Sequence, residues 1–230
     1  MDFRDRHVVV TGGTGALGTA VVETLIGAGA ICHVPYLHEG EAQHFRLRDN
    51  KSVKLGKAGD LADEAVVGRV FQDIGPLWAS IHIAGGFAFG ALREAEAATI
   101  RQQIDMNLVS CALCCRAAVG AMSGGGRIVN VSARAGLEWR SGANIAVYTA
   151  AKAAVAALTV ALSEEVVKDG ILVNAVAPSI MDTAANRSSM PKADYALWPK
   201  VEEVAATIAF LASPENRVTR GAVVPVYGKS

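Results

Sequence analysis

Tyr148 and Lys152, in the stretch "YTAAK", stand four residues apart, a spacing that on a helix puts both side chains on one face and one turn apart. A phenol with an ordinary pKa of ~10 is a poor proton carrier at neutral pH. A lysine cation about 5 Å away, at an effective dielectric near 20, favours the phenolate by roughly 3 kcal/mol, or about two pK units. Such a tyrosine can give or take a proton near neutrality, which is the work of a general acid or base. Alone, this pair is a common helical pattern. Two more residues lend it weight. Ser132 closes the β-branched run "RIVNVSA", so its hydroxyl falls at the carboxyl end of a strand, the edge on which open α/β sheets bind ligands. Asn107, in "IDMNLVS", lies inside a long helical pattern, where its low propensity needs another reason.

Upstream, "VVVTGGTGALGTAVVETLIGAGA" sets Gly12, Gly13, Gly15 and Gly18 between a β-branched run and an amphipathic stretch. Glycines after a strand and at the opening of a helix let the backbone turn tightly and approach a pyrophosphate, while the first amides and the dipole of the helix favour its charge. Glycine spacing without that setting would signify only a tight turn.

The remaining sequence supplies the elements that position these residues. Short β-branched runs at 6–11, 31–36, 52–55, 79–84, 127–132, 172–177 and 222–226 alternate with helical patterns, among them "EGEAQHFRLRD", "TIRQQIDMNLVSCALCCRAAVGAM" and "AVYTAAKAAVAALTVALSEEVVKDG". Strands separated by helices predict a single doubly wound α/β Rossmann domain over residues 1–230, with a seven-stranded parallel sheet covered on both faces. The segment 179–199, "SIMDTAANRSSMPKADYALWP", is too polar for core and too long for a turn, and it is expected to cover a ligand. The 230 residues are 51% hydrophobic and 19% charged, with 22 basic and 22 acidic side chains. This balance, without a basic stripe, argues against a nucleic-acid or anionic-membrane partner. The charged start and the absence of an apolar run near ~20 residues predict a cytoplasmic protein with no membrane span. Cys32, Cys111, Cys114 and Cys115 are expected to be small core side chains rather than metal ligands, although Cys111 and Cys114 have C-x-x-C spacing. His82, in a strand between apolar neighbours, is expected to be a satisfied core residue.

The ordered set Gly12-x-x-Gly15-x-x-Gly18, Asn107, Ser132 and Tyr148-x-x-x-Lys152 resembles the short-chain dehydrogenase/reductase family over nearly the whole chain. The resemblance implies an NAD(P)H-dependent oxidoreductase that passes a hydride between nicotinamide and a small carbonyl or alcohol substrate. By the same resemblance Tyr148 donates the proton, Ser132 holds the substrate oxygen, Lys152 holds the ribose and keeps the phenol acidic, and Asn107 holds a water. Cofactor contacts are implied for Gly12, Thr14, Gly15, Ala16, Leu17, Gly18, Tyr36, Asp60, Leu61, Ala84, Gly85, Gly86, Pro178, Ser179 and Thr183 as well as for Tyr148 and Lys152. Three positions depart from the family pattern: Ala16 for a glycine, "IHIAGG" for Asn-Asn-Ala-Gly, and Ser179 for the glycine after Pro178. Tyr36 and Leu37 stand where an acid for NAD or an arginine for NADP is expected, Glu39 and Glu41 come late for that acid, and His38 is a possible phosphate contact, so the lean is slight and toward NADP. The 179–199 loop and "IAGGFAFG" resemble dihydropteridine reductase, a branch that lacks the family serine. Arg187 and Trp198 are the expected substrate contacts there. A non-catalytic nucleotide sensor is the remaining alternative. The family also implies a homodimer or homotetramer.

Overall fold

Valine and isoleucine, which lose little freedom in an extended backbone, crowd the runs that become strands. In the computed structural model, which describes residues 1–230, these are β1 (His7–Thr11), β2 (Ile31–Tyr36), β3 (Val53–Lys57), β4 (Leu77–His82), β5 (Gly126–Val131), β6 (Ile171–Pro178) and β7 (Val223–Val226). All pair in parallel, in the order β3-β2-β1-β4-β5-β6-β7. The chain works outward from β1 to β3 and then returns to lay β4 on the other side of β1. That reversal opens a crevice at the carboxyl ends of β1 and β4, where such sheets bind ligands.

The helices are α1 (Ala16–Gly27), α2 (Glu39–His44), α3 (Glu64–Phe71), α4 (Ala97–Ile104), α5 (Ser110–Ala121), α6 (Arg134–Leu137), α7 (Ala146–Glu165), α8 (Ala184–Ser189) and α9 (Val201–Ala212). Strand alternation sends Val8, Val10, Val129 and Val131 to one face, under Val22 and Leu25 of α1 and Ile208 of α9. Val9, Ile128 and Val173 go to the other, under Cys111 and Ala118 of α5 and Val155 of α7. Both faces are therefore dry, and the strand ends are held rigidly. Each fully buried aliphatic side chain contributes roughly 1.5–3 kcal/mol to that rigidity.

Three expectations need correction. The helix expected over "EGEAQHFRLRD" stops at His44, because Phe45, 2% exposed, turns down into the core. The fourth strand runs from Leu77 to His82, two residues earlier than expected, which frees Ile83 and Ala84 to line the crevice. The helices Ala97–Ala121 and Ala146–Glu165 are long and apolar enough to cross a bilayer by composition, contrary to the sequence reading. In the fold each lays one face on the sheet, with Asn107 and Lys152 buried in it.

Candidate active site

The glycine turn is shaped by close approaches that a side chain would block. Gly12 has a left-handed φ of 67°, and a Cβ on Gly18 would lie 2.0 Å from the Gly12 carbonyl oxygen. The backbone thus folds back on itself and starts α1 with Gly15 at its cap and no capping side chain, leaving first-turn amides for a ligand. A Cβ on Gly15 would meet only one protein atom, at 3.4 Å, so that face opens on a groove. The groove measures ≈ 810 Å³ and crosses the crevice. Gly12, Thr14, Gly15, Ala16, Leu17 and Gly18 form its floor; Tyr36, Asp60 and Leu61 form one end; Ala84, Gly85 and Met106 form the other. An uncapped helix start over a glycine cradle, with a long groove on both sides, fits a dinucleotide.

Beyond Gly85 the groove meets the titratable residues. A Cβ on Gly85 would lie 2.6 Å from Asn107 Oδ1 and 3.4 Å from Lys152 Nζ. Asn107 sits in a π-helical turn, Asp105–Val109, between α4 and α5. This one-residue widening suits a functional site. Its Nδ2 donates to Gly86 O and Gln103 O, both at 2.9 Å, and its Oδ1 accepts from Gly86 N at 3.3 Å. The side chain thus braces the loop after β4 and the turn at Gln103 through these bonds. Lys152, 6% exposed, donates from Nζ to Val131 O at 2.9 Å and stands 5.8 Å from the centre of the Tyr148 ring. The Phe87 ring, 61% exposed, meets Tyr148 edge to face at 5.1 Å between centroids.

With this geometry in view, the comparisons are decisive. The chain matches the short chain dehydrogenase family over residues 6–194. It is 35% identical to cis-4-hydroxycyclohexanecarboxylate dehydrogenase of Sinomonas cyclohexanicum over 98% of this chain and 96% of the relative. It belongs to the short-chain dehydrogenase family. It is also 29% identical to acetoacetyl-CoA reductase of Allochromatium vinosum, with 97% of each chain covered. A blue fluorescent protein from a metagenomic library, solved in complex with NADPH, superposes with a TM-score of 0.90 at 25% identity, covering 100% of this chain and 99% of that one. The protein is therefore an NAD(P)-dependent short-chain oxidoreductase on a Rossmann-like fold.

Within this dehydrogenase, several residues sit differently from expectation. Burial pushes the Tyr148 phenol up to about 12, whereas the sequence reading had Lys152 bring it down. Lys152 answers to the Val131 carbonyl and is too far from the phenol to outweigh desolvation. Burial also lowers Lys152 itself to about 8 from 10.5. A lysine whose native pKa is depressed costs stability while both states are charged, about 3 kcal/mol here, and the cost disappears as pH rises from 8 toward 10.5. The wild type is thus expected to lose stability relative to Lys152→Met as pH is lowered from 10.5 toward 8, measured as the difference in melting temperature. A difference that does not change with pH would contradict the assignment.

Ser132, 2% exposed, donates its hydroxyl to Lys152 O at 2.7 Å and is not hydrogen-bonded to Tyr148. Gly136 closes over it, since a Cβ there would lie 2.7 Å from Ser132 Oγ. The next residue, Ala133, has no hydroxyl to offer. Ser132 therefore ties β5 to α7 through this bond, which engages its hydroxyl proton in this structure. Ser132→Ala is expected to lower kcat/KM by less than about threefold, with ~1 kcal/mol lost in stability. A loss beyond about a hundredfold would restore it to the reaction.

The remaining expected contacts divide. Asp60 Oδ1 accepts from Ala62 N at 2.9 Å, closing a local turn, and the residue lines the groove. Gly86, Pro178, Ser179 and Thr183 lie outside the groove lining. Ser179 is bonded to Tyr227 O at 2.9 Å, and Thr183 caps α8 by accepting from Asn186 N at 3.1 Å. Arg187 makes two bonds to Asp182, at 2.5 and 2.7 Å, and Trp198 is buried against Tyr195, so both side chains are engaged within the 179–199 segment. His82 is a satisfied core residue, bonded to Asn130 Oδ1 and Ser80 Oγ at 2.8 Å each. Cys111 and Cys115, rather than the C-x-x-C pair, join it through the same Asn130 oxygen at 3.4 Å. Burial pushes the Cys32 and Cys114 thiols up to about 12, which makes them inert. The sequence reading missed Phe87, for which "GGFAFG" was the one signal.

Proposed function

We propose that this dehydrogenase interconverts a small cyclic ketone and its secondary alcohol, in the working direction of reduction at neutral pH. The observation that carries the reading is the half-buried Tyr148 phenol beneath the exposed Phe87 ring. Burial keeps that phenol protonated, so it is poised to donate. Lys152, cationic below about pH 8, lowers the cost of the phenolate left behind. Bound in the groove, a nicotinamide dinucleotide supplies the hydride. The Phe87 face suits a flat or cyclic body, and the relative from Sinomonas cyclohexanicum is named for a cyclic alcohol. Reduction of quinonoid dihydropterin is a second reading, favoured because Ser132 is engaged with Lys152.

The test is a panel of 4-oxocyclohexanecarboxylate, acetoacetyl-CoA and quinonoid dihydropterin, offered with reduced cofactor. The highest kcat/KM is expected with the cyclic ketone. Preference for the thioester, or turnover of none, would overturn the proposal, and preference for the pterin would establish the second reading. For the cofactor, the NADPH complex of the metagenomic relative supports NADP, while the folded position of Glu41 opposes it. A cytoplasmic homodimer or homotetramer is the accompanying proposal, supported by Val160 and Phe210, apolar and 45% and 46% exposed on α7 and α9. Sedimentation and cell fractionation test those two points.

A further inference from the structure

Cys111 and Cys115 are four residues apart on α5 and turn the same face toward the sheet, where His82 of β4 and Asn130 of β5 stand opposite one another in register. All four side chains are buried. The ring and both thiols converge on one oxygen: Asn130 Oδ1 lies 2.8 Å from His82 Nδ1 and 3.4 Å from each sulfur. Cys115 Sγ lies 3.5 Å from the same ring nitrogen, and the ligand atoms of His82, Cys111 and Cys115 all fall within 4.8 Å of one another. A second shell of bonds holds two of these groups in place. His82 Nε2 is 2.8 Å from Ser80 Oγ, and Asn130 Nδ2 donates to Thr159 Oγ1 at 2.9 Å, which turns the amide oxygen toward the sulfurs.

We infer that His82, Cys111, Cys115 and Asn130 form a structural zinc site in the core, apart from the nucleotide groove. Zinc bonds of ~2.3 Å to sulfur and ~2.0–2.2 Å to nitrogen or oxygen, at tetrahedral angles, put each sulfur about 3.5–3.6 Å from the lighter donors. Three such edges measure 3.5, 3.4 and 3.4 Å here. The edge from Nδ1 to Oδ1, now 2.8 Å, opens to about 3.4 Å as the cation replaces the proton between them. Binding releases the two thiol protons to solvent, leaves the ring proton on Nε2 for Ser80 Oγ to accept, and exchanges no electrons. Two thiolates cancel the charge of a divalent cation, so the filled site is neutral and suits an apolar core. Magnesium and calcium, which take six or more oxygen ligands, do not match this donor set. The competing role is a hydrogen-bonded core cluster in which the thiols serve as weak donors to Asn130.

The experiment is expression of the full chain in minimal medium supplemented with zinc, supplemented with cobalt(II), or depleted of both, because a site closed to solvent takes its metal as the chain folds. Metal content after gel filtration and the melting temperature are then measured. The zinc-grown wild type is expected to keep about one zinc per chain and to melt about 5 °C or more above the depleted protein. Cys114→Ala, which removes a buried thiol outside the cluster, is expected to keep the zinc, and Cys111→Ala and Cys115→Ala to keep less than about a tenth of it. The cobalt-grown wild type is expected to show thiolate-to-metal charge transfer and the visible bands of a tetrahedral site, a readout that needs no variant to fold. A wild type without zinc, zinc kept equally by Cys111→Ala and Cys114→Ala, or a cobalt form without sulfur charge transfer would overturn the inference and leave the cluster as hydrogen-bonded core.

Discussion

Tyr148→Phe is expected to lower kcat by roughly 10²–10⁴-fold while leaving nucleotide affinity within about threefold. The substitution removes one oxygen. The phenyl ring still fills the place against Phe87, where the two centroids are 5.1 Å apart, so packing is retained. What is lost is the proton that burial holds on the phenol up to about pH 12. No neighbouring hydroxyl stands in for it, because the Ser132 proton is given to the Lys152 carbonyl 2.7 Å away. Steady-state rates with saturating reduced cofactor and ketone, set beside nucleotide titration, check this. A variant that retains more than a tenth of the wild-type kcat would assign the proton to another group.

Glycine substitutions in the turn before α1 carry the second large effect. A Cβ on Gly18 falls 2.0 Å from the Gly12 carbonyl oxygen and 2.6 Å from Gly13 Cα. Both obstacles are backbone, so no side chain can rotate away and the turn must open. Gly18→Ala is expected to cost more than about 2 kcal/mol of stability, as overpacking against rigid neighbours does, and to abolish measurable nucleotide binding. Gly15→Ala makes the complementary case. Its Cβ approaches protein only at 3.4 Å, so the melting temperature is expected to hold, while a methyl group now occupies the groove that the ligand needs. Affinity lost in Gly15→Ala at constant melting temperature would localise the nucleotide to this turn. Unchanged affinity in Gly15→Ala would place it elsewhere.

The elements that position the site were readable because each follows from a local pattern. "RHVVVT" and "ICHVPY" are β-branched runs, the glycines punctuate a strand-to-helix turn, and Tyr148 and Lys152 are bound together by the helical period alone. Side-chain partners were less readable, since they depend on distances that no local pattern contains. Ser132 ends its strand as expected, yet its hydroxyl serves Lys152 O because α7 lies within reach on that face of the sheet. Lys152 is one helical turn from Tyr148, yet its ammonium prefers the Val131 carbonyl, and burial then sets the sense of both titrations. Glu41 comes slightly late in the chain for an acid at the end of β2; a helix rises only 1.5 Å per residue, and the first turn of α2 returns its carboxylate to the Leu37 amide. Arg187 and Asp182 are five residues apart across the start of α8, and their pairing engages a side chain that the loop had offered to the substrate.

The most direct measurement is isotope transfer from reduced cofactor carrying deuterium at both positions of the nicotinamide C4, incubated with the wild-type protein and the cyclic ketone. Deuterium on the carbinol carbon of the product, absent when Tyr148→Phe replaces the wild type, is the predicted result. Alcohol formed without the label, or tight nucleotide binding with no alcohol formed, would contradict hydride transfer at this site.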